Sequence, residues 1–259
     1  MTQTEPQFVV KLAESEAELK AAQRLRYDVF VAELGAGGAM VDHANRLEVD
    51  QFDPFFDHLI LLDVARSDVL EEQVIGVYRL LRDDQAAKIG QFYSEAEYDL
   101  TPLKNSGRKL LELGRSCLHA DYRGGAAMFH LWNALAAYVL ENGIEILFGV
   151  ASFHGTDPQE LAQPLSMLHH NHLAPEALRA TVKTDSSTSM NLLPKEQLDR
   201  KAAMLAVPAL IKAYLRLGGV VGQGAYIDRD FNTIDVCLIM DTEKLNAKQR
   251  SIYTKGVAG

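Results

Sequence analysis

The sequence predicts an α/β (α+β) chain: a mixed central sheet flanked by helices, with a helical insertion in its C-terminal half. Three observations predict it. From residue 8 onward, apolar runs of strand length alternate with helical periodicity in the order strand, helix, hairpin. Residues 110–153 then read as strand, Arg-Gly-Gly turn, long helix, strand, and a helix between two strands is the connection that parallel pairing requires. From about residue 155 to 207 the strand pattern gives way to helical and polar segments. There is no internal repeat and no low-complexity linker, so the reading is one domain over residues 8–250 with an insertion at about 155–207.

Each element has its own signal. Phe8 to Leu12 is a short apolar strand, and Ser15 with Glu18 three residues on forms a capping box that starts a helix. Leu19, Ala22, Leu25, Val29 and Ala32 recur at helical spacing to about Leu34, where Gly35 ends the run. Residues 58–65 and 73–82 are two apolar runs with a polar connection, an antiparallel hairpin. Residues 83–105 are irregular, with a short helix near 95–98. The strand 110–118 leads into Asp121-Tyr122-Arg123-Gly124-Gly125, then a helix from 126 to about 142 closed by Gly143, then a buried strand over 144–153. Asp157 as N-cap and Pro158 at the first helical position open a helix through residues 161–172. The polar residues 181–189 read as a mobile excursion. Residues 196–205 are helical, Pro208 starts a further helix ended by Gly218-Gly219, and 220–228 pairs with 233–241.

Composition limits the function. The 259 residues are 47% hydrophobic and 24% charged, with a net charge of -9. Bulk nucleic-acid binding needs a basic face and is excluded as an expectation. Lys104, Arg108, Lys109, Arg115 and Arg123 still cluster in sequence, as a solvated rim or a local basic patch. Two cysteines make no disulfide framework. The N-terminus lacks a secretory pattern, and no apolar run reaches the ~18–20 residues that cross a bilayer. The expectation is a cytoplasmic protein, with room for peripheral contact with the inner membrane.

Several residues carry chemistry. A strand that passes into a helix through Arg123, Gly124 and Gly125 presents backbone N–H groups to an anion. Glu112 interrupts an apolar strand; alternation puts it on one face with Gly114 and Ser116, and Arg115 on the other with Leu113 and Cys117. Such a carboxylate either deprotonates or holds an amine, or forms a structural ion pair with Arg79 or Arg26. Arg79, itself in an apolar strand, needs a carboxylate or an anionic ligand. Glu48, Asp50 and Asp53 place three carboxylates within six residues. They can bind a cationic amine, pair with arginines of the preceding helix, or stay solvated; a divalent cation is a further reading, without the spacing of an EF-hand. His169, His170 and His172 lack a zincin pattern, so no metal is assigned. Cys117 reads as a core residue ahead of a nucleophile.

The element order resembles the Gcn5-related N-acetyltransferase (GNAT) fold. The acyl-CoA loop of that family reads Arg/Gln-x-x-Gly-x-Gly/Ala, whereas here Arg123 is followed at once by Gly124 and Gly125, a departure from ordinary coenzyme A binding. The chain is also similar to acyl-homoserine-lactone synthases in Arg26-Tyr27-Asp28-Val29-Phe30, in Glu48, Asp50 and Asp53, in Arg79-Leu80-Leu81, and in Glu112 with Arg115. More closely, it resembles the ornithine N-alpha-acyltransferases that begin ornithine-lipid synthesis. The matching blocks are residues 112–117, Tyr122-Arg123, 151–158, 164–170 and 208–218. That resemblance implies transfer of a 3-hydroxyacyl group from acyl carrier protein to the α-amine of ornithine. The thioester is then a substrate and no cofactor or metal is needed. Glu112 and Arg115 would serve catalysis, and Arg26, Glu48, Asp50, Asp53 and Arg79 the amine substrate or one another. Arg123, Gly124 and Gly125 would meet the donor's phosphate, and the basic cluster would meet the acidic carrier protein. A lipid product would give transient membrane-surface contact a use; nucleic acid would have no part. Three other readings stay open: glutamine or glycine as acceptor, a lactone synthase, and a non-catalytic carrier-protein-binding module.

Overall fold

The computed structural model describes residues 5–39, 41–183 and 185–244. The chain forms two compact units, one from the chain up to Ile89 with Leu113–Gly143, the other from Gly90–Glu112 with the chain from Ile144. The boundary between the units falls inside one strand, at Glu112 and Leu113.

The first unit contains β1 (Phe8–Leu12), α1 (Glu16–Arg26), β2 (Asp57–Asp63), β3 (Val74–Arg82), the later part of β4 (Leu110–Leu118) and α2 (Ala127–Asn142). The capping box of α1 forms in both directions: Ser15 Oγ accepts from the Glu18 N–H at 3.2 Å, and Glu18 Oε2 accepts from the Ser15 N–H at 3.3 Å. From Tyr27 to Glu33 the helix continues with π-helical bonding, and Gly35 closes it at φ +78°. The strands lie in the order β1–β2–β3–β4. β2 and β3 form the expected antiparallel hairpin, with His58 opposite Arg79. Helix α1 buries Ala21, Ala22 and Leu25, with Val29 beyond it, against Ile60, Leu62, Val74, Val77 and Cys117. Removing each large aliphatic side chain from water contributes ~1.5–3 kcal/mol. Helix α2 ends at Gly143, in the left-handed conformation at φ +63°. It approaches β3 closely at Gly76, where an added Cβ would lie 2.9 Å from Leu131 Cδ1 and 2.7 Å from Leu118 Cδ2.

The second unit contains the first residues of β4, then β5 (Ile146–His154), α3 (Ala162–His172), α4 (Ala209–Arg216), β6 (Ala225–Asp228) and β7 (Thr233–Asp241). Leu110–Glu112 of β4 pair in parallel with Ile146–Phe148 of β5, as the strand–helix–strand pattern requires. β5 pairs with β7 in antiparallel register from Ile146 opposite Asp241 to His154 opposite Thr233. β6 and β7 form the last expected hairpin, with Asn232 at φ +53° in its turn.

Four expectations change. Asp157 does not cap a helix: its carboxylate accepts from the Gln159 N–H in a local turn, and α3 begins only at Ala162. Parts of the polar stretch 181–189 are paired, Thr181–Val182 with Tyr98–Asp99 and Ser187–Thr188 with β6, while residue 184 lies outside the described residues. Low hydrophobicity misled there because short pairings rest on backbone bonds. The run 220–228 is broken into Val220–Val221 and β6, with Gly224 at φ +79° between them. The irregular segment 83–105 contains helix Asp83–Ile89, a 3-10 turn Tyr93–Ala96 and helix Thr101–Lys104.

Candidate active site

The first unit brings six of the singled-out residues into one buried ionic network. Arg26 and Arg79 are fully buried, as is Glu48. Arg26 extends from the last turn of α1 and donates from Nε to Glu48 Oε2 at 2.5 Å, and from Nη1 and Nη2 to Asp53 Oδ1 and Oδ2 at 2.8 Å each. Arg79 reaches in from β3 and donates to Asp50 Oδ2 at 2.6 Å and Asp53 Oδ1 at 2.9 Å. Arg115, on β4, donates to Glu48 Oε1 at 3.1 Å. Three guanidinium groups thus meet three carboxylates, so the buried charge balances, and the two-point Arg26–Asp53 bond is the geometry arginine makes best.

The loop holds its carboxylates by its own backbone. Asp50 Oδ1 accepts from the Phe52 and Asp53 N–H groups at 2.9 and 3.0 Å. The 3-10 turn Asp53–Phe55, with Pro54 in its first turn, aims Asp53 inward. Burial opposes the charge on Asp53, but Arg26 and then Arg79 outweigh it and hold the carboxyl well below its ordinary range. The Arg79 guanidinium also lies over the Phe56 ring, 4.2 Å from its centroid.

Two participants were missed from the sequence. His58 is buried beside the network, its Nε2 at 3.0 Å from the Asp53 carbonyl. A carbonyl only accepts, so Nε2 carries the proton, and burial pushes the imidazole down to about 4. Gln23, one turn before Arg26, donates to Asp53 Oδ2 at 2.9 Å. The hairpin register, which sets His58 opposite Arg79, was the signal available for the first. The i, i+3 spacing on α1 was the signal for the second.

Arg115 has φ +50°, a conformation uncommon for a residue with a Cβ, and it interrupts the strand alternation assumed from sequence. Its side chain is 10% exposed, against 0% for Arg26 and Arg79. Among the network's three arginines it is the one that still reaches the surface.

Glu112 lies in the second unit, at the end of that unit's part of β4. Only 2% exposed, it accepts the Tyr93 N–H at Oε2 and the Ser94 N–H at Oε1, both at 2.7 Å. Both oxygens therefore brace the 3-10 turn Tyr93–Ala96. Cys117 lies in the core under α1, and burial pushes its thiol up to about 12, which removes the thiolate a nucleophile needs.

The turn before α2 behaves differently from its sequence reading. Arg123 forms a two-point bond with Glu33, at 2.5 and 2.7 Å, and donates from Nε to the Leu118 carbonyl. Gly124 takes φ +76°. Ala126 precedes α2 with no capping side chain, so the N–H groups of the first turn are left to solvent or a ligand. The basic cluster is not a free patch either. Lys104 pairs with Glu95, Arg108 with Asp241, Arg115 with Glu48 and Arg123 with Glu33. Sequence proximity overstated it because these four side chains pair with carboxylates that lie outside the cluster. The second unit also gathers Glu97, Asp228 and Asp235, with one ligand oxygen of each within 4.8 Å of the others.

Comparison with known proteins places the chain. The chain is 60% identical, over 97% of its length and 96% of theirs, to an L-ornithine N(alpha)-acyltransferase of Rhodobacter capsulatus. The chain belongs to this acyltransferase family. It is 41% identical to the protein of that name from Brucella abortus, over 94% of this chain and 88% of the other. Residues 25–133 match the acetyltransferase (GNAT) domain family. Among solved structures, a CoA-dependent acyl-homoserine lactone synthase superposes with a TM-score of 0.51 at 15% identity, covering 92% of this chain and 81% of the other. The AHL synthase LasI gives 0.51 at 16% identity, covering 97% and 96%. The fold is accordingly a GNAT-like mixed α/β fold, and the protein is an acyltransferase. Among the described residues, no helix is long and apolar enough to cross a membrane.

Proposed function

We propose that the protein transfers a 3-hydroxyacyl group from acyl carrier protein to the α-amine of ornithine, giving lyso-ornithine lipid. The observation that carries this reading is the full-length similarity to L-ornithine N(alpha)-acyltransferases, which extends over both units. The neutral amine attacks the thioester carbonyl, the C–N bond forms, the C–S bond breaks, and the departing thiolate takes up the proton the amine releases. Such a reaction is accelerated chiefly by positioning and by donors aimed at the developing oxyanion.

The network gives a physical basis for positioning. Arg26, Glu48, Asp50, Asp53 and Arg79 brace one another and so fix Arg115, whose partly exposed guanidinium is the group offered to an anionic part of the substrate. The uncapped start of α2, just after Gly124 and Gly125, offers N–H groups to the donor's phosphate. Arg123 reaches that phosphate only by exchanging its bond to Glu33. Glu112 assists the amine's deprotonation through a water while its carboxylate holds the Tyr93–Ser94 backbone.

The test is to incubate the purified protein with 3-hydroxyacyl carrier protein and, separately, ornithine, glutamine, glycine and S-adenosylmethionine. Free thiol and acyl-amide are then measured. Thiol release with ornithine alone supports the reading. Preference for another amino acid, or homoserine lactone from S-adenosylmethionine, overturns the acceptor; carrier-protein binding without thiol release overturns catalysis.

A further inference from the structure

The second unit carries a surface that the acyl-transfer chemistry does not use. A short helix, Arg200–Ala206, turns through Val207-Pro208 into α4. In this chain of net charge -9, residues 195–216 hold five cations (Lys195, Arg200, Lys201, Lys212, Arg216) against two carboxylates, Glu196 and Asp199. Asp199 is committed to its helix, accepting from the Lys201 and Ala202 N–H groups at 3.0 Å each. Arg200 and Lys201 are exposed. At the tip of the same helix Leu205 is 70% exposed, with exposed Ala206 and Ala209 beside it.

We propose that this helix–turn–helix tip docks the protein on an anionic phospholipid surface. Leu205 enters the headgroup boundary, and Arg200 and Lys201 meet the lipid phosphates, while half-buried Lys212 donates from Nζ to the Leu205 carbonyl at 3.0 Å and holds the tip. Two features favour a bilayer over an acidic protein. The apolar group is a protruding knob, which a fluid interface can envelop, whereas docking an amphipathic helix calls for an apolar groove to receive its side chains. The cations flank the knob on flexible stems, the arrangement by which lysine and arginine gain from a negatively charged surface within a Debye length. The amphiphilic product proposed above would give this surface a use, but the surface rests on its own geometry and can be tested without turnover.

The full chain would be floated with vesicles of phosphatidylcholine, or of phosphatidylcholine with added phosphatidylglycerol. Binding should appear only with the anionic lipid and fall steeply with added salt. Lys201→Gln and Leu205→Asn should each weaken it about fivefold, the size of ~1 kcal/mol per group at a lipid surface. Both positions are exposed, so melting temperature should stay within a degree or so of wild type, since surface changes are usually within ~0.5 kcal/mol. Lys20→Gln, on α1 of the other unit, should bind like wild type. Equal binding to both vesicle types, or variants that bind unchanged, would overturn the proposal. So would loss of acidic carrier-protein binding in Lys201→Gln without any vesicle binding, which would make the tip a protein-docking surface.

Discussion

Arg26 and Arg123 both end in two-point bonds to a carboxylate, yet they sit in opposite surroundings. Arg26 and its partners Glu48 and Asp53 are almost wholly out of water. Arg123 and Glu33 are 42% and 40% exposed. In the interior, losing one partner strands a charge that water cannot reach, at a cost of ~3–5 kcal/mol. At the surface, water and salt replace the lost partner, and the same chemistry is worth ~0–1 kcal/mol. The buried arginine is therefore fixed in place, and the exposed one can exchange its carboxylate for a ligand. That difference is why bracing is proposed for the first and donor contact for the second.

The largest effect should come from Asp53, which serves both buried arginines. Asp53→Asn removes one charge from a balanced set and should cost ~3–5 kcal/mol in denaturant unfolding; a loss below 1 kcal/mol would mean that the network is not dry. His58 gives the next effect, through pH. Its folded value of about 4 lies below its ordinary 6.5, so the unfolded chain binds the proton first as pH falls. Its contribution is complete above pH 6.5 and is lost progressively towards pH 4, by about 3 kcal/mol in all. In His58→Gln this part of the stability–pH curve should flatten; an unchanged slope would assign it to other groups.

Glu112→Gln should cost ~1–3 kcal/mol, because an amide offers one acceptor oxygen where two backbone N–H groups wait. Turnover measured well below the melting transition then separates bracing from proton transfer. A lost limb in the pH–rate profile supports proton transfer, and a uniform drop with an unchanged profile supports bracing alone. The smallest effect on stability should be that of Arg123→Gln, within ~0.5 kcal/mol. Its KM for acyl carrier protein should rise several-fold with kcat little changed, and an unchanged KM would remove Arg123 from donor binding.

The buried and exposed arginines were unequally legible in the sequence. A lone arginine in an apolar strand, and three carboxylates in a short loop, made a buried partnership one of the open readings, because neither can be buried alone. Those residues did come together. The capping box, the hairpin and the Gly143 terminus were legible for a similar reason, since each rests on contacts only a few residues apart or on a strong period. The partners of Arg123 and Glu112 were not. Glu33 is ninety positions from Arg123, and Tyr93 and Ser94 offer only backbone, which leaves no mark in side-chain pattern. The left-handed Arg115 was also invisible, because such a conformation is held by the surrounding structure and not by its own residue type.

The most direct test of the account is to locate the acyl group on the product. After reaction of the protein with ornithine and 3-hydroxyacyl carrier protein, fragmentation mass spectrometry should place the amide on the α-nitrogen, with one free thiol for each amide formed. An amide on the side-chain nitrogen, or thiol released without any acyl-ornithine, would contradict it.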